Sequence, residues 1–348
     1  MSAALTQLGF SVPIVAAPMA GGPSTPALVS AVADAGGLGF VAAGYLSPDA
    51  LSAQLEQLGG RRFGINIFTP NEADPGIDPA VYAAYREQLL AGGGIDPVLL
   101  PETPQRSDDH YAEKVRIALA SEAAFVSFTF GYPDPAIIER LQSAGKRVVL
   151  GATSREGIDA VRETGADVLS IQGPRAGGHR ATVLGIDGED ADDQDLRELI
   201  RYARSRSDQP IFAGGGIADA ADVRDILAAG ATAAQVGTLF LGATEAGTKP
   251  AHLAALHDLR HRATVLTRAF TGRTARAVSN RFTEAFSDQA PTMYPALHFL
   301  TAGVRAQAAA QADPEQLHLW AGAGFEGVRV APAAEIVSSL TRELPASS

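Results

Sequence analysis

There is no cysteine among the 348 residues, which excludes disulfides, thiolate metal sites and a cysteine nucleophile. Lysine is almost as scarce. Of the 28 basic residues only Lys114, Lys146 and Lys249 are lysines, and none ends a strand-like run, which argues against Schiff-base chemistry. No apolar run approaches the roughly 18 residues of a membrane-spanning helix, and the opening MSAALTQLGFSVPIVAAPM has no basic leader segment. A soluble, cytoplasmic protein without a membrane partner is expected. Positive charge is in deficit as well: 39 acidic against 28 basic residues leave a net charge of −11, which repels phosphate backbones, so no nucleic-acid partner is expected. The seven histidines lack the spacing of metal ligands, and no metal site is expected.

Glycine is abundant. The 36 glycines follow no Gly-X-Y period, which points to tight turns and close approach of backbone to a ligand. Short β-rich runs recur at Pro13–Ala17, Leu38–Ala42, Phe63–Ile67, Ala124–Phe128, Arg147–Leu150, Asp167–Ile171, Pro210–Ala213 and Ala233–Val236. Between them Thr25–Ala35, Pro48–Leu58, Pro135–Ala144, Arg155–Thr164, Asp195–Arg206 and Ala220–Ala229 carry apolar residues at helical spacing and stop at Gly36, Gly59, Gly145, Gly165 or Gly230 where glycine follows. Eight strand-plus-helix units predict an α/β fold, the (β/α)8 TIM barrel, with a doubly wound open sheet as the alternative.

Two segments exceed a minimal barrel. Residues 69–110, with four prolines from Pro70 to Pro97, form a long irregular insert after the third strand carrying one short helix near Ala80–Leu90. Residues 248–344 show a mainly helical pattern and no further strand-plus-helix unit. The expected organisation is a barrel over 1–247 and a C-terminal helical subdomain over 248–344 that packs with the insert across the active-site end. The tail from Pro345 reads as frayed.

In a parallel barrel the chemistry sits on the loops after the strands. The first is followed by Pro18-Met19-Ala20-Gly21-Gly22, a turn able to bring backbone close to a flat ligand. The third contains Asn66, a carboxamide in an apolar run that must find polar partners. After the sixth comes Gln172-Gly173-Pro174-Arg175-Ala176-Gly177-Gly178-His179-Arg180, which joins an amide, paired glycines and an imidazole in one loop. With a usual pKa near ~6.5, His179 suits proton removal from a weakly acidic carbon or a hydrogen bond to an anion. His252, His257 and His261, in a helical pattern, read as solvated or structural. Gly214-Gly215-Gly216 and Gln235-Val236-Gly237-Thr238 follow the seventh and eighth strands, where a barrel binds phosphate on glycine amides.

Together with Ser127-Phe128-Thr129-Phe130-Gly131, Ala269-Phe270-Thr271-Gly272-Arg273, Tyr294-Pro295-Ala296-Leu297-His298 and Leu319-Trp320-Ala321-Gly322, these loops resemble in order the nitronate monooxygenases, the class with the Gly-Gly-His loop. The resemblance implies FMN and the oxidation of alkyl nitronates by O2 to a carbonyl compound and nitrite, without NAD(P)H. It places Pro18, Met19 and Ala20 against the flavin ring, Asn66 and Gln172 on its polar groups, and Gly177, Gly178, Gly215, Gly216, Gln235, Gly237 and Thr238 around the ribityl chain and phosphate. His179 matches the family's active-site histidine, and Tyr294 a tyrosine lining the substrate pocket. Arg175, Ala181 and Ala323 depart from the common family pattern. An FMN-dependent NAD(P)H oxidoreductase of the quinone reductase or enoyl-acyl-carrier-protein reductase type, on the same barrel, is the alternative. A flavin-free isomerase or aldolase would need a carboxylate or lysine at a strand end.

Overall fold

In the computed structural model, residues 3–70, 76–92, 94–183, 185, 194–258 and 263–344 are described. Eight parallel strands close a barrel: β1 Ile14–Ala16, β2 Leu38–Ala42, β3 Phe63–Phe68, β4 Phe125–Thr129, β5 Arg147–Ala152, β6 Val168–Gln172, β8 Ile211–Gly214 and β9 Ala233–Val236, with β9 pairing back onto β1. The TIM barrel is therefore the fold. β1, β2, β3 and β8 are buried along their whole length, as expected for parallel strands covered on both faces.

The barrel helices begin where short polar side chains accept backbone N–H groups. Thr25, Ser47, Ser154, Asp195 and Asp219 do this for Pro26–Asp34, Pro48–Leu55, Arg155–Glu163, Leu196–Arg206 and Ala220–Ala228. Several end on a left-handed glycine, with φ +85° at Gly36, +74° at Gly145 and +75° at Gly165. One helix escapes the pattern: Tyr111–Ala120 has no side-chain cap and starts from His110 at φ 55°, yet it packs on β3 as a barrel helix.

The N-terminal end is sealed. Leu5, Leu8 and Phe10 cover Phe40, Phe125 and Phe212 inside the strands, with Phe10 and Phe212 edge to face at 6.1 Å. This end of the barrel is thereby closed by apolar side chains.

Over that mouth lies a cap with its own core. Tyr82, Tyr85 and Leu89 of the insert helix Pro79–Ala91 pack with Phe270, Phe282, Met293, Leu297 and Leu300 of the later segment. The later segment is less helical than its pattern suggests. β10 Thr264–Thr267 and β11 Ala275–Val278 form an antiparallel pair, and β7 Gly178–His179, from the loop after β6, adds to β11 as the third strand. Such short strands leave no readable alternation in sequence. The last helix, Ala333–Thr341, leaves the cap and packs between Pro26–Asp34 and Ala220–Ala228, the place of an eighth barrel helix. Residues 248–344 thus serve two bodies rather than one. Residues 71–75, 93 and the tail from Pro345 lie outside the described residues.

Where the insert rejoins the barrel, Asp109 Oδ2 lies 2.7 Å from Nζ of Lys114, which is fully buried, and its Oδ1 accepts the Tyr45 backbone N–H at 2.9 Å. Asp109→Ala leaves a buried ammonium without its counter-charge and is expected to cost about 3 kcal/mol in urea unfolding. Lys114→Met added to that variant should restore part of the loss, and equal midpoints for wild type and Asp109→Ala would count against this account.

Candidate active site

The C-terminal ends of the strands and the underside of the cap enclose a cavity of about 380 Å³. Phe40, Val149 and Phe212 are its floor. Of the residues singled out in the sequence, Pro18, Met19, Ala20, Asn66, Gln172, Gly177, Gly178, His179, Gly215, Gly216, Gln235, Gly237 and Thr238 all line it. Tyr294 does not. It stands behind the wall, its hydroxyl donating to that of Tyr45 at 3.4 Å and its ring 5.3 Å from Phe130. Burial raises the Tyr294 hydroxyl well above its usual pKa and pushes Tyr45 up to about 12, so both remain protonated hydrogen-bonding groups.

Each loop is held by its own backbone and side chains. The Met19 N–H donates to Ser24 Oγ at 2.9 Å. Asn66 gives both hydrogens of Nδ2 to Ser127 Oγ and Thr129 Oγ1, at 2.9 Å each, which leaves Oδ1 for a ligand donor. Gln172 works on the protein itself: Nε2 donates to the His179 carbonyl at 3.0 Å and Oε1 accepts the Ala181 N–H at 2.7 Å, clamping the loop that carries the histidine. Gly177 has a packing reason, since a Cβ there would collide with the backbone of Ala321 and Gly322. Gly178 has a different one: at φ +73° its missing side chain would point into open space. After β8, Gly215 and Gly216 are left-handed at φ +140° and +80°.

His179 occupies the edge strand of the cap sheet and looks into the cavity. Its Nε2 lies 2.9 Å from Thr271 Oγ1, and that hydroxyl donates to the Arg273 carbonyl at 3.2 Å. When the threonine proton is committed to that carbonyl, the hydroxyl oxygen accepts from Nε2, the tautomer in which Nδ1 keeps the lone pair. Phe130, Tyr294 and Trp320 surround the ring at 5.6, 6.0 and 5.4 Å. Burial, aided by the charges of Arg273 and Arg305, pushes its pKa down to about 3. The imidazole is neutral throughout the working range of pH.

Several cavity residues carried no sequence signal of a role. Tyr45 follows β2 at φ 68° and stacks on His298 at 4.1 Å. Arg305, His298, His318 and Lys249 reach the cavity from the later segment, and so does His252, against the expectation of a solvated or structural residue. His261 lies outside the described residues. Arg180, which follows His179, is buried at 5% exposure. Among the described residues the wall contains no aspartate or glutamate, although the chain carries 39 acidic residues. Among the described residues no group of three or more His, Asp or Glu is arranged to hold a metal ion, and no helix is long and apolar enough to cross a membrane.

This arrangement has known counterparts. The family model for nitronate monooxygenase matches residues 2–343. The chain belongs to the nitronate monooxygenase family. A nitronate monooxygenase of Paraburkholderia phytofirmans is 34% identical, covering 99% of this chain and 95% of that protein, and one of Pseudomonas aeruginosa is 35% identical over 97% of both. Among solved structures, nitroalkane oxidase from Streptomyces ansochromogenes matches with a TM-score of 0.90 at 40% identity over 98% of each chain. FabK from Thermotoga maritima matches with a TM-score of 0.74 at 23% identity, covering 99% of this chain and 96% of that one, a likeness of fold alone. Membership makes the chain an enzyme that oxidises nitronates.

The buried histidines also make stability depend on pH. Burial lowers His179 to about 3, His252 to about 4, His298 to about 2 and His318 well below 6.5. Unfolded imidazoles take up protons near pH 6.5 while these stay neutral in the fold, so their contribution is intact above that pH and is lost as the pH falls below it. Each loses up to about 1.4 kcal/mol per pH unit. A melting temperature that drops steeply between pH 7 and pH 5 is expected, and a flat profile would contradict the neutral assignments.

Proposed function

We propose that the enzyme oxidises alkyl nitronates with O2 to a carbonyl compound and nitrite, using FMN and no NAD(P)H. The observation that supports this best is the neutral His179 facing a cavity whose wall, among the described residues, holds arginine, lysine and histidine but no carboxylate. Such a space suits an anionic substrate and an anionic cofactor together.

The residues present fit FMN. Gly178 leaves open space where a Cβ would intrude, Asn66 keeps an unused acceptor, and the glycine loops after β8 and β9 bring backbone to the cavity wall. In this reading Pro18, Met19 and Ala20 lie against the ring. Asn66 takes one of its N–H groups, with Gln172 beside it. The amides of Gly215, Gly216, Gly237 and Thr238 hold the phosphate without a lysine, and Gly177, Gly178 and Gln235 flank the ribityl chain. Bound there, FMN supplies the redox chemistry, taking electrons from the nitronate and passing them to oxygen.

The chain's own part is to bind, orient and exclude water. His179 is the proposed catalytic residue, placed against the reacting carbon–nitrogen unit by the Thr271 contact and the Gln172 clamp. Tyr294 contributes from behind, by fixing the Tyr45 hydroxyl. A pKa as low as about 3 makes His179 a weak base, and proton transfer from carbon follows base strength. The site therefore favours substrates that arrive already as nitronate anions over neutral nitroalkanes.

The deciding measurement is the visible spectrum of the purified holoenzyme under anaerobic conditions, before and after addition of ethyl nitronate. Bleaching of the flavin, with nitrite appearing once air is admitted, is the expected result. A flavin that stays oxidised with nitronate but is bleached by NADH would replace this reading by an NAD(P)H-dependent reductase. At pH 7 turnover of preformed ethyl nitronate should exceed that of nitroethane by about 10² or more, the scale of a general-base contribution. His179→Ala should keep the flavin and lose most of the nitronate turnover; full activity would remove the histidine from the mechanism.

A further inference from the structure

Arg305 stands on the cap helix Ala302–Ala310, is 8% exposed and lines the cavity. Its Nε donates to Thr301 Oγ1 at 3.2 Å, and Nη2 donates to the His298 carbonyl at 2.6 Å and lies 3.4 Å from His298 Nδ1. No hydrogen bond from Nη1 to the protein is present among the described residues, and no carboxylate forms an ion pair with this side chain. Buried guanidinium groups are ordinarily matched by an opposite charge, because desolvation otherwise disfavours them. Here no such charge is present among the described residues. The guanidinium of Arg273 is engaged by the protein itself: it lies 4.1 Å over the Phe130 ring and donates to the Thr182 carbonyl.

We propose that Arg305 is a substrate-binding residue that holds a planar two-oxygen anion, either the nitronate group itself or a carboxylate carried on the same molecule. The geometry favours this over a role toward the cofactor phosphate. Arg305 enters from the cap beside Tyr45 and His298, whereas the glycine loops suited to phosphate follow β8 and β9. Its charge is felt by His179, His298 and Tyr45, so it shares the histidine's part of the cavity. Burial lowers its pKa only to about 10, which leaves it cationic at neutral pH. The group is also held in place: two of its three nitrogens are tied to Thr301 and His298, and His298 is stacked on Tyr45 at 4.1 Å. That leaves the N–H donors of Nη1 for the oxygens of a planar anion.

The inference rests on the nitronate reading only for the identity of the anion. The experiment measures KM for ethyl nitronate and for propionate 3-nitronate in FMN-loaded wild type, Arg305→Met and Arg305→Lys, together with competition by propionate and by its neutral isostere propionamide. Removing the cation from a desolvated charge contact should raise KM by about 10- to 100-fold in Arg305→Met, with Arg305→Lys in between. A loss confined to propionate 3-nitronate assigns Arg305 to a substrate carboxylate, and an equal loss for both substrates assigns it to the nitronate group. Unchanged KM values for both overturn the proposal. If Arg305→Met fails to fold or to bind flavin, the wild type decides: propionate competing at least about 10-fold better than propionamide supports an anion site, and equal competition overturns it. Should the enzyme not turn over nitronates at all, the function proposed above fails by itself. Propionate and propionamide titrations followed in the flavin spectrum then still test Arg305.

Discussion

The active-site end is organised by a strand pairing only two residues long. Beyond β6 the chain leaves the barrel mouth, and Gly178–His179 joins β11 of the cap, with Ala275 opposite His179. The Arg180 N–H extends the contact to the Thr274 carbonyl at 2.9 Å. A barrel loop is thereby made part of the cap sheet, and the histidine looks down into the cavity from above. The same pairing brings Thr271 to the imidazole and requires Gly177 to pass bare beneath Ala321 and Gly322. Gln172 closes the loop from the barrel side.

The second organising feature is electrostatic. An acidic protein encloses a cavity whose wall, among the described residues, carries cationic and imidazole groups and no carboxylate. Within this space, burial keeps the histidines neutral and leaves the guanidinium of Arg305 charged. Neutral imidazoles supply hydrogen bonds without adding repulsion among cations, and the few permanent charges are left to meet anions. Asp109, which accepts the Tyr45 backbone N–H beside this region, is matched by the fully buried Lys114.

Much of the barrel was legible because parallel strands buried on both faces are short apolar runs, and capped helices carry their signals at their ends. The barrel strands lie within one or two residues of the runs read from sequence, and the glycine loops meet at one mouth because all strands point the same way. Tyr111–Ala120 was missed for want of an N-cap. β7 was missed because two residues carry no pattern, and β10 and β11 because they are only partly buried and mix Thr264, Thr267 and Arg276 with apolar residues instead of forming an apolar run. Tyr294 was expected to line the substrate pocket, but its place behind Tyr45 depends on side-chain packing between distant segments.

By itself, the sequence determined the barrel, the family-typical loops and the histidine on a glycine-rich turn, since each is written in residues close along the chain. The tertiary structure alone decided what faces what. Arg305 and Thr271 follow His179 by about a hundred residues, and Gln172 turns its amide to the protein's own loop. Only folding brings such groups within hydrogen-bonding reach and removes the water around them. The neutrality of the histidines and the cost of leaving the Arg305 charge unmatched arise from that removal of water, which no local pattern encodes.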